Sequence, residues 1–589
     1  MTSPSYVVGI DLGTSNTVVA YAALGENRDE APDFRIFDIP QVSGLGVVEA
    51  SGVLPSFLYL PEASEASEMR LPWEDKGPVV GMYARDRGAE VPGRQIASSK
   101  SWLCTDLVDR EGPVLPWESQ DVTPEQRLSP LAASAAILRH VRSAWNHHFG
   151  GENLLEDQEI FLTVPASFDA VARELTVRAA REAGLPRLVL LEEPQAAFYA
   201  WIASRKETWR EEVKPGDSLL VCDVGGGTSD FSLIRVQDRE GNMELERIAV
   251  GRHLLVGGDN MDLALAYHVA AGLAAKNRAF DSWQMRGLIQ RCRQVKENLL
   301  AHPERESVSV VIAGRGSGLI GGSIKVEVRY EEIRNLLMGG FFPECGGDSS
   351  PMQPSGSGLS EFGLGYEADP AITRHLAAFL AQTHARPTAV LFNGGAMKPA
   401  MLRSRVRDIM ASWQGGEGVR ELVNEAGDQA VALGAAYYGW ARKGQGIRIR
   451  SGLNRSYYIG VAASMPAVPG IPMPKKALCI APFGMEEGTE ASLKEKTYML
   501  SVGLPVSFEL LASSTRREDG LGQMVEDWQG EIQPVARIET RLEAEGESRI
   551  PVTLAVRATE VGTLEFFCVS TKDEKTWDLA FQVREAKTA

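Results

Sequence analysis

The sequence predicts an α/β protein whose sheet-and-helix unit occurs twice, followed by an all-β, sandwich-like unit. Three observations carry this. A strand, turn and strand pattern occurs twice, as VVGIDLGTSNTVV at 7–19 and LLVCDVGGGTSDF at 219–231. Each copy has four mostly apolar residues, an Asp, one apolar residue and a Gly-bearing turn with hydroxyls. Short repeats of 20–50 residues make solenoids, whereas a repeat of about 200 residues implies two related lobes, here about 1–218 and 219–443. Short apolar strands alternate with helical patterns through the first 443 residues, which is the α/β signature. From 447 to 589 the helical pattern stops and strands follow one another.

In chain order, Tyr6–Ile10 and Thr17–Tyr21 are β-branched runs around a Gly-containing tip, a hairpin. At 130–149, Leu131, Ala135, Leu138, Val141, Trp145 and Phe149 recur three or four apart and share a helix face. Residues 159–165 and 187–193 are short buried strands, with a helix of about 17 residues between them that ends at Gly184. The stretch 339–370 is rich in Gly, Ser and Pro and reads as a long, mobile surface loop. Residues 457–463, 475–481, 497–503, 506–513, 534–542, 550–558, 563–571 and 577–583 read as strands. Val552, Leu554, Val556 and Ala558 alternate there with Thr553, Ala555, Arg557 and Thr559, as in a half-buried sheet.

The 589 residues are 44% hydrophobic and 24% charged, which excludes whole-chain disorder. With 61 basic and 78 acidic residues the net charge is −17, which opposes nucleic acid and anionic membrane as partners. Six cysteines at wide, irregular spacing form no CxxC pair and read as reduced thiols of a cytoplasmic protein. No apolar run approaches transmembrane length or a signal-peptide core. The eight histidines show no ligand spacing, and His147 with His148 reads as the solvated end of a helix.

A polyphosphate needs backbone N–H groups unobstructed by side chains. Gly13 with Thr14, Ser15 and Asn16 supplies one such turn, and Gly225, Gly226 and Gly227 with Thr228 another. Either alone is an ordinary tight hairpin; both together, in repeated context, read as a clamp on a triphosphate. Asp11 and Asp223 at the strand ends suit Mg²⁺, which takes few direct protein ligands. Gly394 and Gly395 follow a strand and let backbone approach a flat purine or ribose. Asp428 reads as a helix N-cap or as part of the same pocket. Glu193, before Pro194, is a solvated strand end or a carboxylate that holds metal-bound or nucleophilic water. Lys100 is an ordinary lysine or a cation for the transferring phosphate.

Taken together, GIDLGTSNT (9–17), TVPASFDAVARELTVRAAREAGL (163–185), EEPQAAFYAW (192–201), CDVGGGTSDFSL (222–233), VGGDNMD (256–262), FNGGAMKP (392–399) and DQAVALGAA (428–436) resemble the heat shock protein 70 (DnaK-type) family, in its order and roughly its spacing over about 440 residues. The resemblance implies a duplicated actin-like ATPase fold with ATP or ADP and Mg²⁺ between two lobes. It places Asp11, Asp223 and Glu193 around the Mg²⁺ and its waters, and Thr14, Ser15 and Gly225 to Thr228 on the phosphates. Lys100 is implied at the γ-phosphate, Asp230 near the nucleophilic water, and Thr228 and Asp223 with them in catalysis. Gly257, Gly258, Lys296, Gly394, Gly395 and Asp428 would complete the nucleotide pocket, and Pro165 matches a proline tied to signalling between domains.

Three departures stand out. Lys296 is kept in the adenosine-side helix, but Arg293 and Leu300 replace the family's Glu and Ser. The sequence KGQGIRIRSGLN stands where the family has an acidic-apolar linker. The C-terminal strands match the peptide-binding sheet loosely, and strands continuing to about 583 leave no helical lid. The implied function is a chaperone-like ATPase that binds unfolded or partner proteins, with a co-chaperone and a nucleotide exchange factor. The alternative is a nucleotide-gated scaffold that holds one dedicated partner through its β unit.

Overall fold

The computed structural model describes residues 4–25, 32–73, 77–105, 108–239, 242–274, 282–312, 324–353, 364–445, 449–450, 453, 455–462, 475–485, 489–503, 505–513, 515–541, 549–559, 564–573 and 575–578. The chain divides into two compact units, Met1–Ser167 with Leu175–Arg448, and Phe168–Glu174 with Ile449–Ala589.

In the first unit the repeated motif becomes two hairpins of one design. Tyr6–Leu12 pairs antiparallel with Asn16–Ala23, with Asp11 opposite Val18. Ser218–Val224 pairs antiparallel with Ser229–Arg239, with Asp223 opposite Asp230. Each hairpin's first strand also runs parallel to a later strand, Glu159–Val164 in one sheet and Ala389–Asn393 in the other. Each of these has a further parallel neighbour, Val189–Glu192 and Arg420–Leu422. Val7, Val8, Ile10, Leu219, Leu220 and Val221 are all fully buried, as expected for strands covered on both faces.

Helices close over these sheets. Pro130–Phe149 starts where Ser129 Oγ accepts the Ala132 N–H at 3.0 Å, with Pro130 pre-set for the first turn. Its predicted apolar stripe is buried except for half-buried Phe149, and Trp145 packs edge-on to Tyr6 and Tyr21 at 5.7 and 5.3 Å between ring centroids. His147 and His148 are exposed at its end, as the sequence predicts. The helix Ala430–Trp440 lies directly on the first sheet and on the helix Glu193–Arg205. A Cβ on Gly9 would sit 2.2 Å from the Ala432 carbonyl oxygen, and one on Gly434 would sit 1.7 Å from that of Ala196. Only glycine permits backbone to meet backbone this closely.

Two local expectations need correction. The second predicted strand is shorter, Val189–Glu192, and Glu193 is the first residue of a helix with Pro194 behind it; proline is tolerated in a first turn, where no intrahelical N–H bond is lost. The Gly/Ser/Pro stretch does not begin as a free loop. Phe341 and Phe342 are buried, and the buried Asp369 carboxylate accepts the Met352 N–H at 2.9 Å and pairs with Arg374 at 2.7 Å. Residues 354–363 of that stretch lie outside the described residues.

The second unit holds two antiparallel sheets. One has the order Met524–Val525, Lys475–Ala481, Ser456–Ala462, Pro505–Ser513 and Gln533–Arg541; the other has Glu490–Ser501, Arg549–Ala558, Leu564–Ser570 and Thr576–Asp578. Tyr457, Leu478 and Leu510 of the first share one apolar core with Val552, Val556 and Phe566 of the second. Buried Asp519 accepts from Tyr458 at 2.7 Å, Gln523 at 2.9 Å and both arms of Arg516. The predicted strand at 577–583 is described only as Thr576–Asp578; its remainder, and part of the linker at 443–454, lie outside the described residues. All six cysteines are free thiols. Among the described residues no helix is long and apolar enough to cross a membrane.

Candidate active site

The two hairpin tips meet. A Cβ on Gly226 would lie 2.0 Å from Ser15 Oγ, and one on Gly227 would lie 2.8 Å from the Thr14 methyl. Both turns close in the same way: the Gly13 N–H donates to the Asn16 carbonyl at 3.0 Å, and the Gly225 N–H to the Thr228 carbonyl at 2.8 Å. Those two amides are therefore spent within their turns. The Gly258 N–H donates to the Gly225 carbonyl at 3.0 Å and the Asp259 N–H to that of Gly226 at 2.7 Å, while the Gly257 N–H is taken by Asn260 Oδ1 at 2.9 Å. Gly257 and Gly258, expected at the nucleotide, thus have their own amides engaged, and the turn from Gly257 buttresses the second tip from behind.

A cavity of about 630 Å³ opens beside the tips. Gly13 to Asn16, Gly225, Gly226 and Thr228 line one part of it. Asp11, Lys100, Glu193 and Asp223 line its floor, and Gly258, Lys296, Gly394, Gly395 and Asp428 line the remainder. Gly227, Gly257 and Asp230 are not among the lining residues.

The floor is an electrostatic cluster. The Lys100 ammonium, on the short helix Ser99–Trp102, pairs with the Glu193 carboxylate at the start of its helix. Their side chains are only 9% and 13% exposed. Asp11 accepts from the Thr163 hydroxyl at 3.0 Å and Asp223 from the Asn393 amide at 2.6 Å. Burial, then the charge of Glu193, pushes Asp11 up to about 7. Burial, then Glu193, pushes Asp223 up to about 8. Burial works against the Lys100 charge, but Glu193 and Asp11 outweigh it and raise the ammonium above its ordinary value. Three carboxylates thus face one cation on the cavity floor, a donor set that lacks positive charge.

Among the described residues no three His, Cys, Asp or Glu side chains converge into a ready-made metal cage. Asp11, Asp223 and Glu193 share the floor without forming a direct ligand set, because Glu193 is turned to Lys100. Carboxylate oxygens such as these are the ligand type a hard cation takes.

Other predicted residues have partners the sequence did not reveal. Asp230, opposite Asp223, accepts from Ser167 Oγ, which lies 2.7 Å from His253 Nδ1. Lys296 reaches Asp262 at 2.8 Å and the Gly258 carbonyl at 3.1 Å. Arg293 pairs with Asp262 at 2.9 Å and with Asp259, and stands over the Phe57 ring at 5.9 Å. Asp428 is not the expected helix cap. It sits in the short turn Gly427–Gln429 without capping, and its carboxylate pairs with Lys398. Gly394 has φ +84°, and a Cβ there would lie 2.6 Å from the Asp223 carboxylate. Ser167, His253, Asp259 and Asp262 carry no spacing signal; Asp259 and Asp262 were visible only as acids in VGGDNMD.

Two sheets that repeat one strand order, with glycine tips meeting beside a carboxylate-floored cavity, define the class of actin-like ATPase folds. The family model for Hsp70 protein matches residues 80–318. Chaperone protein HscA of Enterobacter sp. (strain 638) is 31% identical over 319 residues, which cover 52% of this chain and 44% of that protein. The Chaperone protein HscA homolog of Burkholderia orbicola (strain MC0-3) is 33% identical over 310 residues, covering 50% and 42%. Over that stretch the chain is similar to the Hsp70 family. The matched stretch spans less than half the length of these curated relatives.

Proposed function

We propose that this chain is an ATP-binding, slowly ATP-hydrolysing chaperone-like protein, with the nucleotide in the cavity between two lobes and a β-sandwich that holds unfolded or partner proteins. The observation that carries it is the meeting of the two glycine tips over Asp11, Lys100, Glu193 and Asp223. In this reading the remaining turn amides and the hydroxyls of Thr14, Ser15 and Thr228 hold the phosphates. Gly394, Gly395, Lys296 and Asp428 line the nucleoside side. Asp11, Asp223 and Glu193 hold hydrated Mg²⁺, which when bound neutralises phosphate charge. Lys100 offsets charge that develops on the transferring phosphate, and Glu193 orients water. Asp230 acts at one remove, since Ser167 and His253 hold its carboxylate away from the cavity lining. The six free thiols support a reducing compartment such as the cytoplasm.

A co-chaperone and an exchange factor belong to this reading as partners. The alternative, a nucleotide-gated scaffold for one dedicated partner, is favoured by the sequence KGQGIRIRSGLN in place of the family's linker. Turnover stimulated by many unfolded peptides supports the chaperone, and capture of a single partner whose affinity changes with nucleotide supports the scaffold.

Thermal unfolding with Mg-ATP tests the site itself. A ligand at 100 times its Kd adds about 2.7 kcal/mol to the native state. No rise in Tm with millimolar ATP or ADP and Mg²⁺ refutes the proposal.

A further inference from the structure

Glu192 and Glu193 are consecutive acids with different fates. Glu193 faces the cavity. Glu192 ends its strand opposite Val164 and leaves the following helix uncapped. Its carboxylate instead pairs with the Arg247 guanidinium, and the two side chains are only 3% and 4% exposed. Arg247 belongs to the other sheet, on the strand Asn242–Val250. The register slips at that point: Ala249 faces Leu233, Arg247 faces Ile234, and Ile248 is left over. A bulge of this kind re-aims the side chains beside it, and here it adjoins the buried arginine.

Stability alone does not account for the pair. Two buried charges lose their hydration, and apolar residues of similar volume in such places are often as stable or more so. A charged pair does fix the direction and distance between the two elements that carry it. Glu192 shares a peptide bond with Glu193. Arg247 lies on the strand next to Ser229–Arg239, which runs directly out of the Gly225–Thr228 turn.

We propose that Glu192 and Arg247 are positioning residues of the nucleotide site, the buried tie that holds Glu193 in register with the Gly225–Thr228 turn. Glu193 then meets the hydrated-cation side of a polyphosphate whose other side rests on that turn. The inference rests on the ATPase reading of the cavity.

The test is the double variant Glu192→Leu/Arg247→Met in the full chain. Three quantities are read: Tm, ADP affinity with and without Mg²⁺, and ATP turnover split into kcat and KM. ADP reports the site without any reaction. The expected result is a Tm near the parent's and Mg-free ADP affinity within about twofold. The gain in ADP affinity on adding Mg²⁺ should shrink at least threefold, and kcat should fall about tenfold or more, since small misplacements of a positioned group are costly. A well-folded double variant with a parental Mg²⁺ gain and parental kcat overturns the proposal. If the double variant does not fold, Glu192→Asp keeps the charge but shortens its reach; a lowered kcat with ADP affinity kept supports the tie, and a parental kcat overturns it. A parent protein that neither binds ADP nor hydrolyses ATP overturns the ATPase reading, and the tie with it, which separates the two failures.

Discussion

Replacing Lys100 with Met should destabilise the ligand-free protein in a pH-dependent way. The substitution keeps most of the volume and removes the cation that Glu193 faces. Breaking a buried pair by deleting one partner costs about 3–5 kcal/mol. The unit that holds the site has about 440 residues, and unfolding entropy of about 2.1 cal/mol/K per residue makes 1 kcal/mol worth about 1 °C in a unit of that size. The expected fall at pH 8 is therefore about 3–5 °C. The sign follows from the neighbours. Asp11 and Asp223 have carboxyls raised from 3.8 to about 7 and about 8, so the stability they lend is full below 3.8 and is lost as pH rises through 7 to 8. Lys100 lowers Asp11, so its removal makes ionised Asp11 still less favourable. The Lys100 shift is upward, so its own contribution is present at both pH 5.5 and pH 8 and is lost only above its ordinary 10.5. At pH 5.5 Asp11 and Asp223 already carry protons, less charge is left unmatched, and the fall should shrink to half or less. Calorimetry in EDTA at the two pH values decides it. An equal loss at both, or no loss at pH 8, refutes the electrostatic account of the floor.

Lys100→Ala and Glu193→Ala should each lower ATP turnover while Mg-ATP binding stays measurable by calorimetry; parental turnover in both removes their proposed roles. Gly434→Val should cost several kcal/mol, since the new Cβ meets a backbone carbonyl that cannot rotate away, and overpacking of this kind typically costs 1–3 kcal/mol or more; urea unfolding reads it, and an unchanged midpoint contradicts the crossing. A thiol reagent should modify Cys104 and Cys345 in the native protein, but Cys222, Cys292, Cys479 and Cys568 only after unfolding, because these four are buried and burial raises their thiols. Mass spectrometry of labelled peptides checks which react.

Backbone pattern was legible and side-chain partnership was not. The paired motifs at 7–19 and 219–231 became paired hairpins because alternating β-branched residues and a glycine turn encode local geometry. The helix at 130–149 declared itself by its stripe and its Ser-Pro start. The glycine turns and the acids Asp11 and Asp223 at the cavity are legible because they are local features, whereas Lys100 and Lys296 are singled out only by the family resemblance, and Phe57, Gln290 and Asn393 at the cavity carry no signal in the sequence. Side-chain partners were hidden by distance along the chain. Lys398 reaches Asp428 across 30 residues and Ser167 reaches Asp230 across 63, with no spacing rule to link them. Asp428 looked like a cap because it precedes a helix; the neighbouring lysine claimed its carboxylate. Gly257 and Gly258 are implied at the nucleotide pocket only by the family resemblance; their N–H groups are engaged within and behind the second tip, and Gly258 lines the cavity.

The glycine-mediated crossing of Ala430–Trp440 with Glu193–Arg205 has a mechanical meaning. Most helix contacts are cushioned by side chains that change rotamer when strained. Here main chain rests on main chain at Gly434 and Ala196, so no side chain at the contact can yield by changing rotamer. One helix starts at Glu193 on the cavity floor; the other helix starts just after Asp428 at the cavity wall. Any side chain at position 434 would have to part these two helices, and the residues at their ends, Glu193 and Asp428, both line the cavity.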